Sequence, residues 1–339
     1  MNRKRVSLKD VAELAGVSYQ TVSKVLNGQV HASPETLQRI QSAAQKLGYR
    51  PNRQARSLRT QRSHMIGYSW EPPQAGQANF ILDLFLTSMV EEAEAAGYHL
   101  LPFPYREGSS QIQSYQNLID AGYVDGFVLT SVNYGDARAR FLTEQGFPFV
   151  AFGRASAGLD FPWVDVDGAA GLRLATAHLI ERGHPRIAAA AWPADSRVGN
   201  DRLEGYLAAL RAAGRTAPPE WIARGEGTFA FAYAATRRWL EAEAAQRPTA
   251  VVAMNDTMAI GALHAAQALG LRVPQDLAVI GFDDAPMAEF LWPPLTSIRQ
   301  PIREAGRKCV ELLIKTMDGQ ALAKHQVLLQ PELIVRASA

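Results

Sequence analysis

The chain has 339 residues, 47% hydrophobic and 20% charged, which excludes a disordered or collagen-like chain and suits two or three folded units. No apolar run approaches the roughly 18 residues of a membrane helix, and no apolar stretch follows the basic start Met-Asn-Arg-Lys-Arg-Val, so the expected address is cytoplasmic, without a membrane or a signal peptide. The net charge of +2 hides an asymmetry: residues 1–62 carry 12 Lys+Arg and 3 Asp+Glu, and the other 277 residues carry 23 and 30. A basic, non-repetitive head on an acidic body points to a polyanion-binding module joined to something else.

The head reads as three helices. Ser7 is placed to cap the first, with Asp10 three residues on, and Leu8, Val11, Ala12 and Ala15 share one face. Gly16 ends it, and Val17 plugs the turn. Ser18 caps a second helix from Tyr19, with Val22, Val25 and Leu26 inward and Tyr19, Gln20, Thr21, Ser23 and Lys24 outward. Ser33-Pro34 opens a third, whose predicted buried stripe is Leu37, Ile40, Ala44 and Leu47, and Gly48 stops it. Two helices joined by a short glycine turn, the second polar on its outer face, form a helix-turn-helix. Gln reaches an adenine edge, Ser and Thr reach base or phosphate, and Lys supplies charge.

The segments Leu8–Ser18 and Thr21–Asn27 resemble the headpiece of the LacI/GalR family of bacterial transcriptional regulators, and Tyr49–Leu58 resembles that family's hinge. Lys24 departs from the pattern, where Arg is commoner; it keeps the charge and loses the planar fork. The resemblance implies DNA contacts from Ser7, Ser18, Tyr19, Gln20, Thr21, Ser23, Lys24, Asn27 and His31. In the hinge it implies contacts from Asn52, Ala55, Arg56, Leu58 and Arg59, with a helix near Asn52–Arg59 entering the minor groove and Leu58 wedged into a base step. Eight residues are too few for a stable isolated helix, so such a segment orders only on DNA. Read from its residues alone, the segment is equally an unstructured linker with a stray leucine.

From Met65 onward, apolar runs at Met65–Trp70, Tyr98–Tyr105, Val124–Ser131, Pro148–Gly153, Ile187–Trp192, Ala250–Asn255 and Leu277–Phe282 alternate with helical patterns. That alternation predicts an α/β body with parallel sheets, divided into two subdomains. The resemblance implies a periplasmic-binding-protein-like body of two lobes with a ligand cleft. The predicted division is a helix-turn-helix headpiece at 1–48, a hinge at 49–63 and an effector-binding and dimerisation body at 64–339. Lobe 1 covers about 64–165 and 297–324; lobe 2 covers about 166–296 and 325–339.

Ligands of such sheets meet the carboxyl ends of strands. Arg154, Asn255-Asp256 and Asp283-Asp284 follow apolar runs, Trp163 precedes Val164-Asp165, and Arg202 opens a helical stretch. Arg, Asp and Asn bond sugar hydroxyls, and aromatic rings cover the apolar faces of a sugar. The resemblance carries the effector role onto Arg202, Asn255 and Asp283, with Arg154, Phe80, Trp163 and Phe229 as further candidates. Plainer roles are also open: Asp256 as a helix cap, Asp284 as a turn residue, Arg154 as an ion-pair member, and Arg202 as a partner of Glu204 on its own helix. The glycine-rich run Arg224–Thr228 reads as a loop without a leading strand of phosphate-loop spacing.

Enzyme motifs are absent, Cys309 stands alone, and the seven histidines lack ligand spacing, so no catalytic residue, metal or cofactor is expected. The expected protein is a repressor. It binds a near-palindromic operator in double-stranded DNA as a homodimer, under control of a small-molecule effector, a sugar, in the interlobe cleft. The alternatives are a purine or other ring compound as effector, a cleft enzyme carrying a DNA-binding head, or an architectural DNA binder.

Overall fold

The computed structural model describes residues 6–26, 32–49, 62–70, 80–104, 109–155, 158–320 and 325–339. The chain divides into two compact units, Met1–Arg62 and Ser63–Ala339.

Among its described residues the first unit holds three helices: α1 (Leu8–Ala15), α2 (Tyr19–Leu26) and α3 (Pro34–Leu47). Ser7 and Asp10 form a full capping box, and Gly16, at φ 62°, closes α1 in the left-handed conformation. Val11, Ala12, Ala15, Val22, Val25, Ile40 and Ala43 make its core, with Val17 packed at the turn. Leu37 is 39% exposed and Ala43 is buried beside Ile40, so the buried stripe of α3 is rotated from the one predicted.

The second unit contains two six-stranded sheets. The first is ordered β11-β5-β4-β3-β1-β2, with β1 Met65–Trp70, β2 His99–Pro104, β3 Gly126–Leu129, β4 Phe149–Phe152, β5 Trp163–Val166 and β11 Gln326–Leu329. All its pairings are parallel. The second is ordered β12-β10-β9-β8-β6-β7, with β6 Ile187–Ala191, β7 Ile222–Arg224, β8 Ala250–Ala253, β9 Ala278–Asp283, β10 Thr296–Arg299 and β12 Glu332–Ile334. Only the β10–β12 edge pairing is antiparallel.

Helices α4 (Phe80–Ala95), α5 (Ser109–Asp120), α6 (Ala137–Glu144) and α11 (Ile302–Met317) flank the first sheet. Helices α7 (Gly168–Glu181), α8 (Arg197–Ala212), α9 (Phe229–Leu240) and α10 (Asp256–Ala268) flank the second. Aromatic residues dominate one side of the first sheet, where Phe103, Tyr115, Phe127 and Phe147 meet edge to face or tilted. The second core is filled by alanine and aliphatic residues, such as Ala188–Ala191 on β6. Small residues bring helices close: a Cβ on Gly306 of α11 would lie 1.9 Å from the Ser88 hydroxyl of α4.

The chain passes between lobes three times, and two crossings differ from those predicted. The first follows Val166, the last residue of β5. The return falls at Gln300-Pro301 rather than near Ser297, because Thr296–Arg299 pairs with β9 in the second sheet. The last falls between Leu329 and Glu332 rather than near His325, because Gln326–Leu329 pairs with β5. What reads as one strand is two short strands in different sheets. Strand β7 leads directly into Gly225–Thr228, so the glycine run is a strand-to-helix turn capped by Thr228.

Candidate functional site

In the first unit, capping and exposure separate the polar residues of α2. The Ser18 hydroxyl accepts from the Thr21 amide at 3.1 Å and bonds the Thr21 hydroxyl at 2.8 Å. These two groups fix the helix start, and Ser7 does the same for α1 through Asp10. Tyr19, Gln20 and Lys24 are exposed, and Ser23 is half-buried, with Val22 and Val25 anchored beneath. Arg39 is a structural cation: its guanidinium donates to the Ala15 and Gly16 carbonyls at the C-terminal end of α1, where positive charge is favoured. Asn27, His31, Asn52, Ala55, Arg56, Leu58 and Arg59 lie outside the described residues.

In the second unit, the carboxyl ends of strands from both sheets border a cavity of about 840 Å³. Lobe 2 supplies its polar floor. Arg202, on α8, is 5% exposed and held between the rings of Phe282 at 3.7 Å and Trp192 at 4.8 Å. It donates to the Met254 carbonyl, lies 4.0 Å from Asp283, and keeps an unpartnered buried Nε. Asp283 sits at φ 119°, an unusual conformation for a residue with a side chain, and accepts from Gln300 at 2.7 Å. Asp256 accepts from the Ser297 hydroxyl at 2.5 Å and the Ala285 amide at 2.7 Å. Burial, then the Asp283 charge, pushes the Asp256 carboxyl up to about 8. Burial also raises Asp283, to about 6, against the pull of Arg202.

Asn255 is the cap of α10, accepting from Met258 at 2.7 Å and donating to the Gly227 carbonyl at 3.0 Å. Phe229 opens α9 and stacks on Tyr233. Lobe 1 presents a more apolar wall: Phe80, Ile81, Val132 and Phe152.

Comparison with known proteins places this architecture. A profile described as "Bacterial regulatory proteins, lacI family" matches residues 7–52, and one described as "Periplasmic binding protein-like domain" matches 176–339. The HTH-type transcriptional regulator CelR of Thermobifida fusca is 36% identical, over 99% of this chain and 99% of its own. The chain belongs to the LacI family. The repressor CytR of Escherichia coli K12 is 34% identical over 98% of this chain and 96% of its own. A LacI-family regulatory protein from Chloroflexus aggregans shares 57% identity, with TM-score 0.79, over 81% of this chain and 98% of that one. A transcriptional regulator CelR–cellobiose complex gives 34% and 0.75 over 99% of this chain and 100% of that one. This LacI-family chain is thus a DNA-binding transcriptional regulator and not an enzyme.

Two expected effector residues of the LacI-family body stand apart from the cavity. Trp163 begins β5, so it lies away from that strand's carboxyl end and lines a separate cavity of about 340 Å³ with Arg154. Arg154 lies 5.5 Å over the Trp163 ring and pairs with Asp165 at 2.7 Å and Asp201 at 2.9 Å. Arg197 joins the same cluster, 3.1 Å from Asp201. This is a polar clasp between lobes, extended by Asn133 of lobe 1, which donates to the Asp195 carbonyl and accepts from the Arg197 amide. Glu204 pairs with Arg211, not Arg202. Asp256 is the first residue of α10 rather than its cap, and Asp284 holds Arg299 and Arg336.

Asp165, Asp201, Trp192 and Gln300 line the cleft and were not among the expected residues. Asp165 was within reach of the carboxyl-end rule, since it lies near the end of β5. Asp201 and Gln300 were not, because their places depend on a helix start and a crossing that local sequence does not mark.

Proposed function

We propose that the chain is a repressor that binds its operator as a homodimer and is controlled by a sugar in the interlobe cleft. The observation that carries the reading is the cavity with a hydrogen-bonding floor on lobe 2 and an apolar wall on lobe 1. A sugar has matching edges and faces: hydroxyls for Arg202, Asn255 and Asp283, and CH faces for Phe80 and Phe229. The solved CelR–cellobiose complex, 34% identical to this chain, supports the ligand class. On the head, exposed Tyr19, Gln20 and Lys24 read the major groove, while Ser7, Ser18 and Thr21 fix the helices that carry them. Leu58 acts as a minor-groove wedge between Arg56 and Arg59.

The second copy covers Phe290 and Trp292, which are 80% and 86% exposed between β9 and β10. Apolar surface of that kind is ordinarily occupied by a partner, and a solved Lac repressor, 29% identical, is a dimer bound to operator. The same aromatic walls would stack on a purine, the alternative effector. No helix among the described residues is long and apolar enough to cross a membrane.

A thermal-shift screen against sugars and purines tests the reading. The effector at 100 times its Kd stabilises the body by about 2.7 kcal/mol. Stabilisation by purines alone would replace the sugar.

A further inference from the structure

The ionic groups of the cleft are matched inside the protein. Among the described residues that line it, Arg202 is the one Lys or Arg. Its charge is already engaged, on the Met254 carbonyl, towards Asp283 and between two rings. Asp165 and Asp201 border the cavity, but their cations, Arg154 and Arg197, do not line it. Asp256 is satisfied by a hydroxyl and an amide. Carboxylates therefore face the ligand while most of the cations stand behind them.

We infer that the effector is an uncharged sugar and that phosphorylated forms of the same sugar do not act; the inference rests on the sugar reading above. Hydroxyls donate to Asp165, Asp201 and Asp283, and the unpartnered Nε of Arg202 is one N–H suited to a hydroxyl oxygen. A phosphate group would enter among carboxylates with no unengaged cation among the described lining residues to meet it, and like charges brought together are strongly disfavoured. The consequence is a place in a reaction sequence. The regulator reads the sugar before a phosphoryl-transfer step, and phosphorylation of the sugar ends the signal.

The test is calorimetric titration of the full-length protein with glucose, galactose, cellobiose and maltose, each beside its 6-phosphate, and with hypoxanthine. A neutral sugar is expected to bind, with its 6-phosphate weaker by about 100-fold or more. A phosphate that binds as tightly as its parent sugar, or alone, overturns the inference and leaves the sugar reading standing. Binding of hypoxanthine with no sugar or phosphate sinks the sugar reading and upholds the uncharged ligand. No binding by any of the nine probes counts against the sugar reading and the inference together. Asp201→Asn gives a second readout. Releasing Arg154 and Arg197 from one carboxylate should narrow the sugar-to-phosphate ratio by about tenfold, whereas simple structural damage weakens both ligands alike.

Discussion

The recognition helix and the cleft are built in opposite ways. On α2 the candidate groups Tyr19, Gln20 and Lys24 are exposed, and the helix stands on Val22, Val25 and its own cap. In the cleft, Arg202 and Asp256 are almost wholly buried and tied to residues far along the chain: Met254, Asp283, Ser297 and Ala285. One surface separates function from folding; the other merges them. Changes on α2 should therefore alter binding at constant stability, while changes in the cleft should alter both.

The largest expected contrast is in salt. The basic head meets a polyanion, so operator affinity of the full-length protein should fall roughly 10³–10⁵-fold between about 50 and 200 mM salt. Effector affinity in the matched cleft should barely move. Fluorescence anisotropy beside calorimetry measures both, and a flat operator response would break the comparison at its base.

Arg202→Ala comes next. It removes the guanidinium that faces Asp283 and leaves the Met254 carbonyl without its donor. Effector affinity should drop by about 100-fold, and unfolding stability by about 3 kcal/mol, as for one partner lost from a buried pair. Parent-like calorimetry would remove Arg202 from the site. Gln20→Ala should cost about 1–3 kcal/mol of operator affinity and relax one or two base preferences, with an unchanged Tm. A randomised-site selection that returns the parent's preferences would refute that role.

A further contrast is in pH. Asp256 and Asp283 have folded-state pKa values raised above the ordinary 3.8, to about 8 and about 6. The folded state then binds more protons than the unfolded one. Their contribution to stability is full below about pH 4 and is lost as pH rises towards about 8. Asp256→Asn should flatten this part of the Tm–pH curve, and an unaltered slope would assign the titration elsewhere.

The same contrast explains what the sequence made legible. The capping box at Ser7, the glycine stop at Gly16 and the buried face of α2 are signals within a few residues, and all three stand where expected. The strand alternation of the body is equally local. Arg154 follows an apolar run and Trp163 begins the next strand, and only the three-dimensional register sets both in the smaller cavity beside Asp165. Asp201 owes its place to the first turns of α8, which begin at Arg197, five residues before Arg202, the expected opening of that helix. Gln300 owes its place to a lobe crossing set by the pairing of β10 with β9. Such information resides in long-range pairing and not in spacing.

The central claim is that the cleft and the DNA-binding head are thermodynamically linked. The most direct measurement is operator affinity of the full-length protein, by anisotropy, with and without saturating effector at fixed salt. A coupling of about 1–3 kcal/mol, a change of roughly 5–150-fold, is predicted. Identical operator affinities at saturating effector would contradict the account.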